Sequence, residues 1–380
     1  MNQTFQFNYG PRVISGSGTS ADLSGLLPDG AVLFITDKGV RDLGLPERAL
    51  AALADRTITV FDDVEADPSA GTVEAAVAAG NDIGATAVIG FGGGSPMDVA
   101  KAAAYLLGSG DALDDIYGVD QAKGRSLPLI LVPTTAGTGS EATPISILTV
   151  GGAEKKGIVS PALYADWAIL DADLTLGLPR HVTAATGIDA MVHAIEAFTS
   201  KRLKNPLSDA LAREALRILA ANIRTVCDQP DNRDARAAML LGAHLAGVCF
   251  SNAPVAGVHA LAYPLGGHFH VPHGLSNALM LPHVLTHNMG AARELYAELA
   301  VEVDPSLGAL GTQARAQGFV EELRAIAADT GLSPRLSDVG VTVDHLDLLA
   351  DEAMKQQRLL VNNPAEITRA DALRLYRAAL

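Results

Sequence analysis

The chain has 380 residues, 48% of them hydrophobic and only 4% aromatic, with a formal net charge of −15. Such a length suits two domains rather than one. The acidic balance excludes a nucleic-acid partner, which needs a basic surface, and the absence of a polybasic stretch argues against a membrane surface.

The opening residues carry no basic and apolar signal segment. No run along the chain approaches the ~18 apolar residues of a membrane-spanning helix. Two cysteines, Cys227 and Cys249, give no disulfide framework in a chain this long and suit a reducing compartment. The cytoplasm is therefore the expected location. The β-type segment Thr4–Tyr9 is expected to pair with its own copy across a two-fold axis, giving a homodimer or a larger homo-oligomer.

From there the first half alternates apolar runs with helical patterns. Ala31–Thr36 reads as a buried strand ending at Asp37, and Thr57–Phe61 as a second strand. Val73–Ile83 has helical spacing. Ala87–Ile89 is a strand that runs into a glycine-rich turn, and Pro96–Leu107 is a helix with proline near its first turn, where a missing N–H is tolerated. Leu127–Val132 is a further apolar strand. Strands alternating with helices imply a mostly parallel sheet covered on both faces.

The turn Gly92-Gly93-Gly94-Ser95-Pro96-Met97-Asp98 joins strand to helix. Its glycines let backbone approach a ligand, and a helix N-terminus suits a pyrophosphate. It is not the Gly-x-Gly-x-x-Gly fingerprint, and it follows the third strand rather than the first. A tight structural turn is the plainer reading. Pro133-Thr134-Thr135-Ala136-Gly137-Thr138-Gly139 follows another strand and can line the same ligand. Asp37 ends a strand at that edge, either as a helix cap or as a carboxylate for ribose hydroxyls, which favours NAD over NADP.

After Leu178-Pro179 the strand-like runs stop. Ala184–Ser200, Pro206–Asn222, Asp234–Phe250 and Gly318–Thr330 show helical periodicity. The boundary is placed near 178–182, giving an α/β domain over 1–180 and an all-helical domain over 181–380. Asn362-Asn363-Pro364 is a turn before a last helix that starts near Ile367 or Thr368.

Seven of the ten histidines lie between His244 and His287. Asp189 and His193 share a helix face at i, i+4 spacing. His259, His268, His270 and His273 crowd fifteen residues. Carboxylate and imidazole together suit a borderline divalent ion such as Fe²⁺ or Zn²⁺, although spacing does not say which histidines join Asp189 and His193.

These segments together carry a family resemblance. Gly92-Gly93-Gly94-Ser95-Pro96-Met97-Asp98-Val99-Ala100-Lys101, the Pro133–Glu141 segment and Ala185-Thr186-Gly187-Ile188-Asp189 through His193-Ala194-Ile195-Glu196 resemble motifs of the iron-containing (group III) alcohol dehydrogenases. The likeness covers nearly the whole length. It implies an α/β N-terminal nucleotide-binding domain plus an all-α C-terminal domain, the dehydroquinate synthase-like architecture, with a cleft between them. It implies metal ligands at Asp189, His193, His259 and His273, holding Fe²⁺ or Zn²⁺. Cofactor contacts for NAD then fall on Asp37, Asp67, Gly93, Gly94, Ser95, Pro96, Met97, Asp98, Thr134, Thr135, Thr138 and Lys155, with Lys156 the alternative to Lys155.

One position departs from the pattern. Many members carry a further histidine four residues after the third ligand, and here that residue is Tyr263. A phenol with an ordinary pKa near ~10 is a poorer proton shuttle at neutral pH, and the change also reshapes the pocket. The implied activity is hydride transfer between a small alcohol, or its aldehyde or ketone, and NAD(H), with the metal polarising the substrate oxygen. The four ligands and Tyr263 are its expected catalytic residues. A non-redox lyase of the dehydroquinate synthase type would need a basic pocket, and no Lys/Arg cluster lies near the metal motifs. A non-catalytic NAD- or metal-binding protein is disfavoured by the intact four-ligand set.

Overall fold

In the computed structural model, which describes residues 4–151, 154–332 and 335–380, the chain forms two compact units. One is Tyr9–Leu176; the other is Gly177–Leu380 together with residues 4–8.

The first unit contains β1 (Arg12–Ser15), β2 (Ala31–Ile35), α1 (Lys38–Asp42), α2 (Glu47–Ala51), β3 (Ile58–Phe61), α3 (Ala70–Asp82), β4 (Ala85–Gly92) and α4 (Gly94–Ser109). It continues with β5 (Gly118–Val119), β6 (Leu129–Pro133), β7 (Ile145–Val150), β8 (Glu154–Val159) and β9 (Trp167–Leu170). Six strands make a parallel sheet in the order β1-β9-β6-β4-β2-β3. A smaller sheet has the order β5-β8-β7.

Successive residues of a strand face opposite sides, and here both sides are core. Leu33, Ile35, Val88 and Leu131 pack with Val73 of α3 and Val99 of α4 on one side. Val32, Phe34, Ile89 and Val132 pack with Ala49 of α2 on the other. That is why these strands read as unbroken apolar runs rather than as alternation.

The topology also has the strand reversal beyond which open α/β sheets bind ligands. From β2 the chain moves outward to β3, then returns to lay β4 on the opposite side of β2. The strand order therefore reverses between β2 and β4, and open α/β sheets bind ligands beyond the carboxyl ends at such a reversal. Those ends are Asp37 and the glycine-rich turn. This explains why the turn follows the third strand of the alternating run and not the first.

Within one chain, residues 4–9 form no strand. Residues 4–9 are irregular and mostly exposed. The backbone of Asn8 makes its two hydrogen bonds to the side-chain amide of Asn252, at 2.7 and 2.8 Å, and Gly10 at φ 79° followed by Pro11 ends the extended run. The edge strand is β1 instead, paired with β9 from Arg12↔Trp167 to Ser15↔Leu170.

The second unit is helical: α5 (Arg180–Thr199), α6 (Pro206–Asp228), α7 (Arg233–Asn252), α8 (Gly257–Phe269), α9 (His273–Val303), α10 (Thr312–Asp329), α11 (Leu346–Met354), α12 (Gln357–Leu360) and α13 (Arg369–Ala379). The last helix starts where expected, capped by the Thr368 side chain. α5 packs against α6, α7 and α9 and is buried almost throughout, as a helix without a polar face must be. Ala184, Ala185, Ala190, Ala194 and Ala197 keep its profile thin. The approach of α9 is close enough that a Cβ on Gly274 would lie 2.3 Å from the Ala185 carbonyl oxygen. Only glycine fits there. Among the described residues no single helix is long and apolar enough to cross a membrane; α7 and α8 reach that apolarity only as a pair bent by 106°.

Candidate active site: a metal centre and a nucleotide-binding edge

Three helices meet at the metal centre. Asp189 and His193 lie on the buried core helix α5, His259 on the first turn of α8, and His273 opens α9. Their ligand-type atoms all lie within 4.8 Å of one another. Asp189 Oδ1 is 4.0 Å from Nε2 of His193, 4.0 Å from Nε2 of His259 and 3.5 Å from Nε2 of His273. A tetrahedral ion with bonds of about 2.1 Å needs ligand spacings of roughly 3.4 Å, so small side-chain adjustments close the shell.

Hydrogen bonds set the tautomer of His259. Glu196, seven residues after Asp189 on the same stripe of α5, accepts from the backbone N–H of Ala256 (2.9 Å) and of Val258 (2.6 Å). It lies 2.7 Å from His259 Nδ1, so that nitrogen carries the proton and Nε2 presents its lone pair to the cluster. The Asn277 amide Nδ2 donates to Asp189 Oδ1 at 2.6 Å and sits 3.2 and 3.3 Å from Nε2 of His259 and His273. Two amide hydrogens cannot serve three acceptors. At least one lone pair is left for an electrophile.

Burial alone would push the Asp189 carboxyl up. The pull of His273, His193 and His259 and the Asn277 hydrogen bond outweigh it and hold the group below its ordinary value. A buried anion ringed by imidazoles calls for positive charge. Protons on the rings or one divalent cation can supply it, and the lone pairs left by Glu196 and Asn277 favour the cation. The donor set therefore suits the implied metal.

Asp189, His193 and His259 are buried, whereas the His273 side chain is 43% exposed. Access to the centre is therefore past His273. Phe250 stacks on His193 with ring centroids 4.4 Å apart. Tyr263 stands edge-on to His259 at 6.4 Å and lies 5.9 Å from His273, half-buried beside the accessible ligand. His268 and His270 are exposed and stay outside the cluster. His270 instead adopts the left-handed conformation, φ 54°, that ends α8 and turns the chain into α9.

At the sheet edge Asp37 caps α1, its Oδ1 accepting from Val40 N–H at 2.8 Å. Its other oxygen lies beside Gly92, 3.3 Å from where a Cβ would sit. Gly92 has φ 150° and its missing Cβ makes room for Pro96. Gly93 caps α4, whose first-turn amides point out of the helix. Gly93 faces the Thr135 hydroxyl and Gly94 faces Thr138, so the two turns form one wall.

Other expected cofactor residues are used differently. Pro96, Met97 and Thr134 are buried. Asp98 accepts from Ser140 Oγ (2.5 Å) and Ile147 N–H (2.9 Å), and is 3.1 Å from Lys101 Nζ. Lys101 is fully buried and also donates to the Ser140 carbonyl, Ser140 Oγ and the Ile145 carbonyl. Burial pushes its ammonium down, opposed by Asp98. The pair thus clamps α4 to the loop that carries Thr135 and Thr138. Asp67, at φ 58°, forms an ion pair with Lys155 at 2.6 Å, and Thr149 bonds both the Asp67 carbonyl and Lys155. Lys156 instead lies over the Tyr117 ring.

Sequence reasoning missed Glu196 and Asn277 as site residues. Glu196 is three residues after His193 and Asn277 four after His273, so helical spacing was the available signal.

Residues 10–172 match the family model described as iron-containing alcohol dehydrogenase, and residues 183–380 the model for the C-terminal part of that family. Long-chain-alcohol dehydrogenase 1 of Geobacillus thermodenitrificans is 40% identical over 357 residues, covering 92% of this chain and 89% of the relative. A crystal structure of a 1,3-propanediol oxidoreductase superposes with a TM-score of 0.95 at 31% identity, covering all of both chains. The sulfoacetaldehyde reductase of Bifidobacterium kashiwanohense in complex with NAD+ superposes at 0.88 with 28% identity, covering 100% of this chain and 99% of its own.

Glu196→Gln keeps the side chain's shape but sets an amide NH₂ against donor N–H groups. Metal affinity, read by competition with a chelator, is expected to fall ~10–100-fold. Unchanged affinity would show that Glu196 only anchors α8.

Proposed function

Because the chain belongs to the iron-containing alcohol dehydrogenase family, we propose that its four-residue cluster and its sheet edge divide one hydride transfer between them. The protein is an NAD-linked, metal-dependent oxidoreductase that interconverts an alcohol and its carbonyl compound. The observation that carries the residue assignments is the convergence of Asp189, His193, His259 and His273 on one point.

In this reading those four residues hold the ion, Fe²⁺ by family and Zn²⁺ by donor type as well. When bound, the ion polarises the substrate oxygen while the nicotinamide exchanges the hydride. Glu196 and Asn277 keep lone pairs aimed at the centre. Substrate, a small alcohol or aldehyde, arrives past the exposed His273. Tyr263, beside that ligand, hydrogen-bonds the reacting oxygen and stands where many relatives would place a proton-relaying histidine.

The amides of Gly94 and Ser95 at the start of α4 receive the pyrophosphate, with Gly93, Thr135 and Thr138 as the wall. Thr134, Pro96, Met97 and Asp98 shape that wall from beneath. Asp37 accepts from a ribose hydroxyl through its free oxygen and repels a 2′-phosphate. Asp67 and Lys155 form a paired polar contact to the cofactor. Two chains associate through the unpaired edge of β1, giving a homodimer that light scattering would reveal and a monomer mass would exclude. The buried free thiols of Cys227 and Cys249 suit a cytoplasmic enzyme.

The reading is tested by stripping the metal, reloading anaerobically with Fe²⁺ or Zn²⁺, and following NADH formation against a panel of alcohols. Activity restored by one ion supports it; NAD binding without turnover under either ion rejects it. Asp189→Ala should lose bound metal and turnover together while NAD affinity stays within about twofold, a difference of roughly 0.4 kcal/mol. Asp37→Gly should raise the NADP/NAD ratio of kcat/KM by at least roughly tenfold, about 1.4 kcal/mol. An unmoved ratio would leave Asp37 as a helix cap only.

A further inference from the structure

The helical unit has a second polar concavity, separate from the metal centre. Along α9, His283 lies ten residues and so about 15 Å beyond His273. The cavity has a volume of about 660 Å³ and is lined by His283 and His287 of α9, Arg324 of α10 and Arg374 of α13, with Thr286 and Leu375 among them. No carboxylate lines it, in a chain whose net charge is −15.

Its two guanidinium groups differ from each other: Arg374, like several arginines of this unit, is paired with a carboxylate, Asp371 at 2.9 Å, and Arg324 is not. Arg213 pairs with Glu298, Arg217 with Glu214, Arg224 with Glu322 and Asp329, and Arg369 with Asp347 and Asp351. Arg324 makes no hydrogen bond or ion pair among the described residues, and its charge acts instead on His283. Arg374 is held in place. His287 Nε2 donates to the Glu366 carbonyl at 2.8 Å, so its Nδ1 accepts from Arg374 Nη2 at 2.9 Å. The same nitrogen donates to Asp371 at 2.9 Å. That fixes one corner of the guanidinium and leaves its Nε and Nη1 hydrogens for a ligand. Burial, with the Arg324 charge, pushes His283 down to about 4, so it is a neutral hydrogen-bonding group at neutral pH.

We propose that this cavity binds a phosphate-bearing anion, gripped between Arg324 and Arg374. Arg324 offers a full planar fork, and Arg374, with both Nη2 hydrogens engaged, adds single donors from Nε and Nη1; donors converging from two sides suit an anion with more oxygens than one carboxylate. A phosphoryl group offers three oxygens and up to two negative charges. The cavity volume also lies in the range of small-molecule sites, so it has room for more than the phosphoryl group itself.

The test is calorimetric titration of inorganic phosphate into the metal-loaded enzyme saturated with NAD, so that the pyrophosphate edge is already filled. One site per chain with a dissociation constant around ~1 mM or tighter is expected. Arg324→Ala should weaken it at least roughly tenfold, about 1.4 kcal/mol, with the melting temperature and phosphate-free alcohol turnover unchanged. Arg324→Lys should fall between, since it keeps the charge and loses the fork. Repeating the titration with glycerol phosphate separates the sources. Tighter binding points to a phosphorylated small molecule, and equal binding to recognition of the phosphoryl group alone. No saturable binding, or identical binding to native and Arg324→Ala enzyme, overturns the proposal. So does a change of assembly mass in Arg324→Ala when the native protein takes up no phosphate, because the cavity is then a contact between copies.

Discussion

A single buried carboxylate organises the helical unit. Asp189 sits in the middle of α5, the helix with core on every side. An ionised carboxylate in such a place is untenable unless charge and hydrogen bonds surround it. Removing a partner from a buried charge pair typically costs ~3–5 kcal/mol. The surroundings come from elsewhere in the chain: imidazoles at the first turns of α8 and α9 and an amide one turn into α9. Both helices must therefore begin where they do. Glu196 makes that arrangement rigid. Two turns along α5 from Asp189, it takes the N–H groups at the start of α8 and the Nδ1 proton of His259 together. One carboxylate faces the electrophile, and the other orients a ligand and a helix N-terminus. The close approach of α9 at Gly274 completes the frame.

The nucleotide edge rests on different physics. It depends on where strands end and how backbone turns, and little on side-chain charge. Reversal of strand order between β2 and β4 leaves a crevice beyond their carboxyl ends, and Gly92–Gly94 line it with backbone. The charged residues beneath it are consumed in holding it. Asp98 and Lys101 neutralise each other and bind the loop after β6. This is why a motif that reads as a string of cofactor contacts separates into two layers. Gly93, Gly94, Ser95, Thr135 and Thr138 make the surface. Pro96, Met97, Asp98 and Lys101 support it. Asp37 belongs to both layers, with one oxygen on its helix and one beside the turn.

The legible parts of the fold were those whose burial is uniform. β2, β4 and β6 are buried on both faces and appear in the sequence as unbroken apolar runs. β1 is a mostly exposed edge strand whose Arg-Val-Ile-Ser gives no apolar run, and β8 begins Glu-Lys-Lys, which no strand pattern favours. α8 contains Pro264 and, near its end, Gly266 and Gly267, which read as breakers, yet it stays helical. Within one chain, the Thr4–Tyr9 segment is held only at Asn8, whose backbone bonds the Asn252 side chain. In the candidate site, the Asp189/His193 pair follows from helical spacing alone. Choosing among His259, His268, His270 and His273 needed the resemblance. The structure gives its physical basis: His270 is spent on the left-handed turn that lets α9 start at His273, and His268 points to solvent.

Burial divides the metal centre into a fixed part and a variable part. Asp189, His193 and His259 are enclosed: Asn277 and Glu196 hold Asp189 and His259 by hydrogen bonds, and Phe250 stacks on His193. A substitution among them propagates into α5, α8 and α9 at once. His273 is the one half-exposed ligand, and the rings next to the opening, Tyr263 above all, touch the ligands edge-on without anchoring them. A change at Tyr263 therefore leaves the hydrogen bonds that hold Asp189 and His259 intact. In the proposed reading, proton delivery and substrate shape are then adjustable at the rim, while the enclosed residues of the cluster are fixed by their packing and hydrogen bonds.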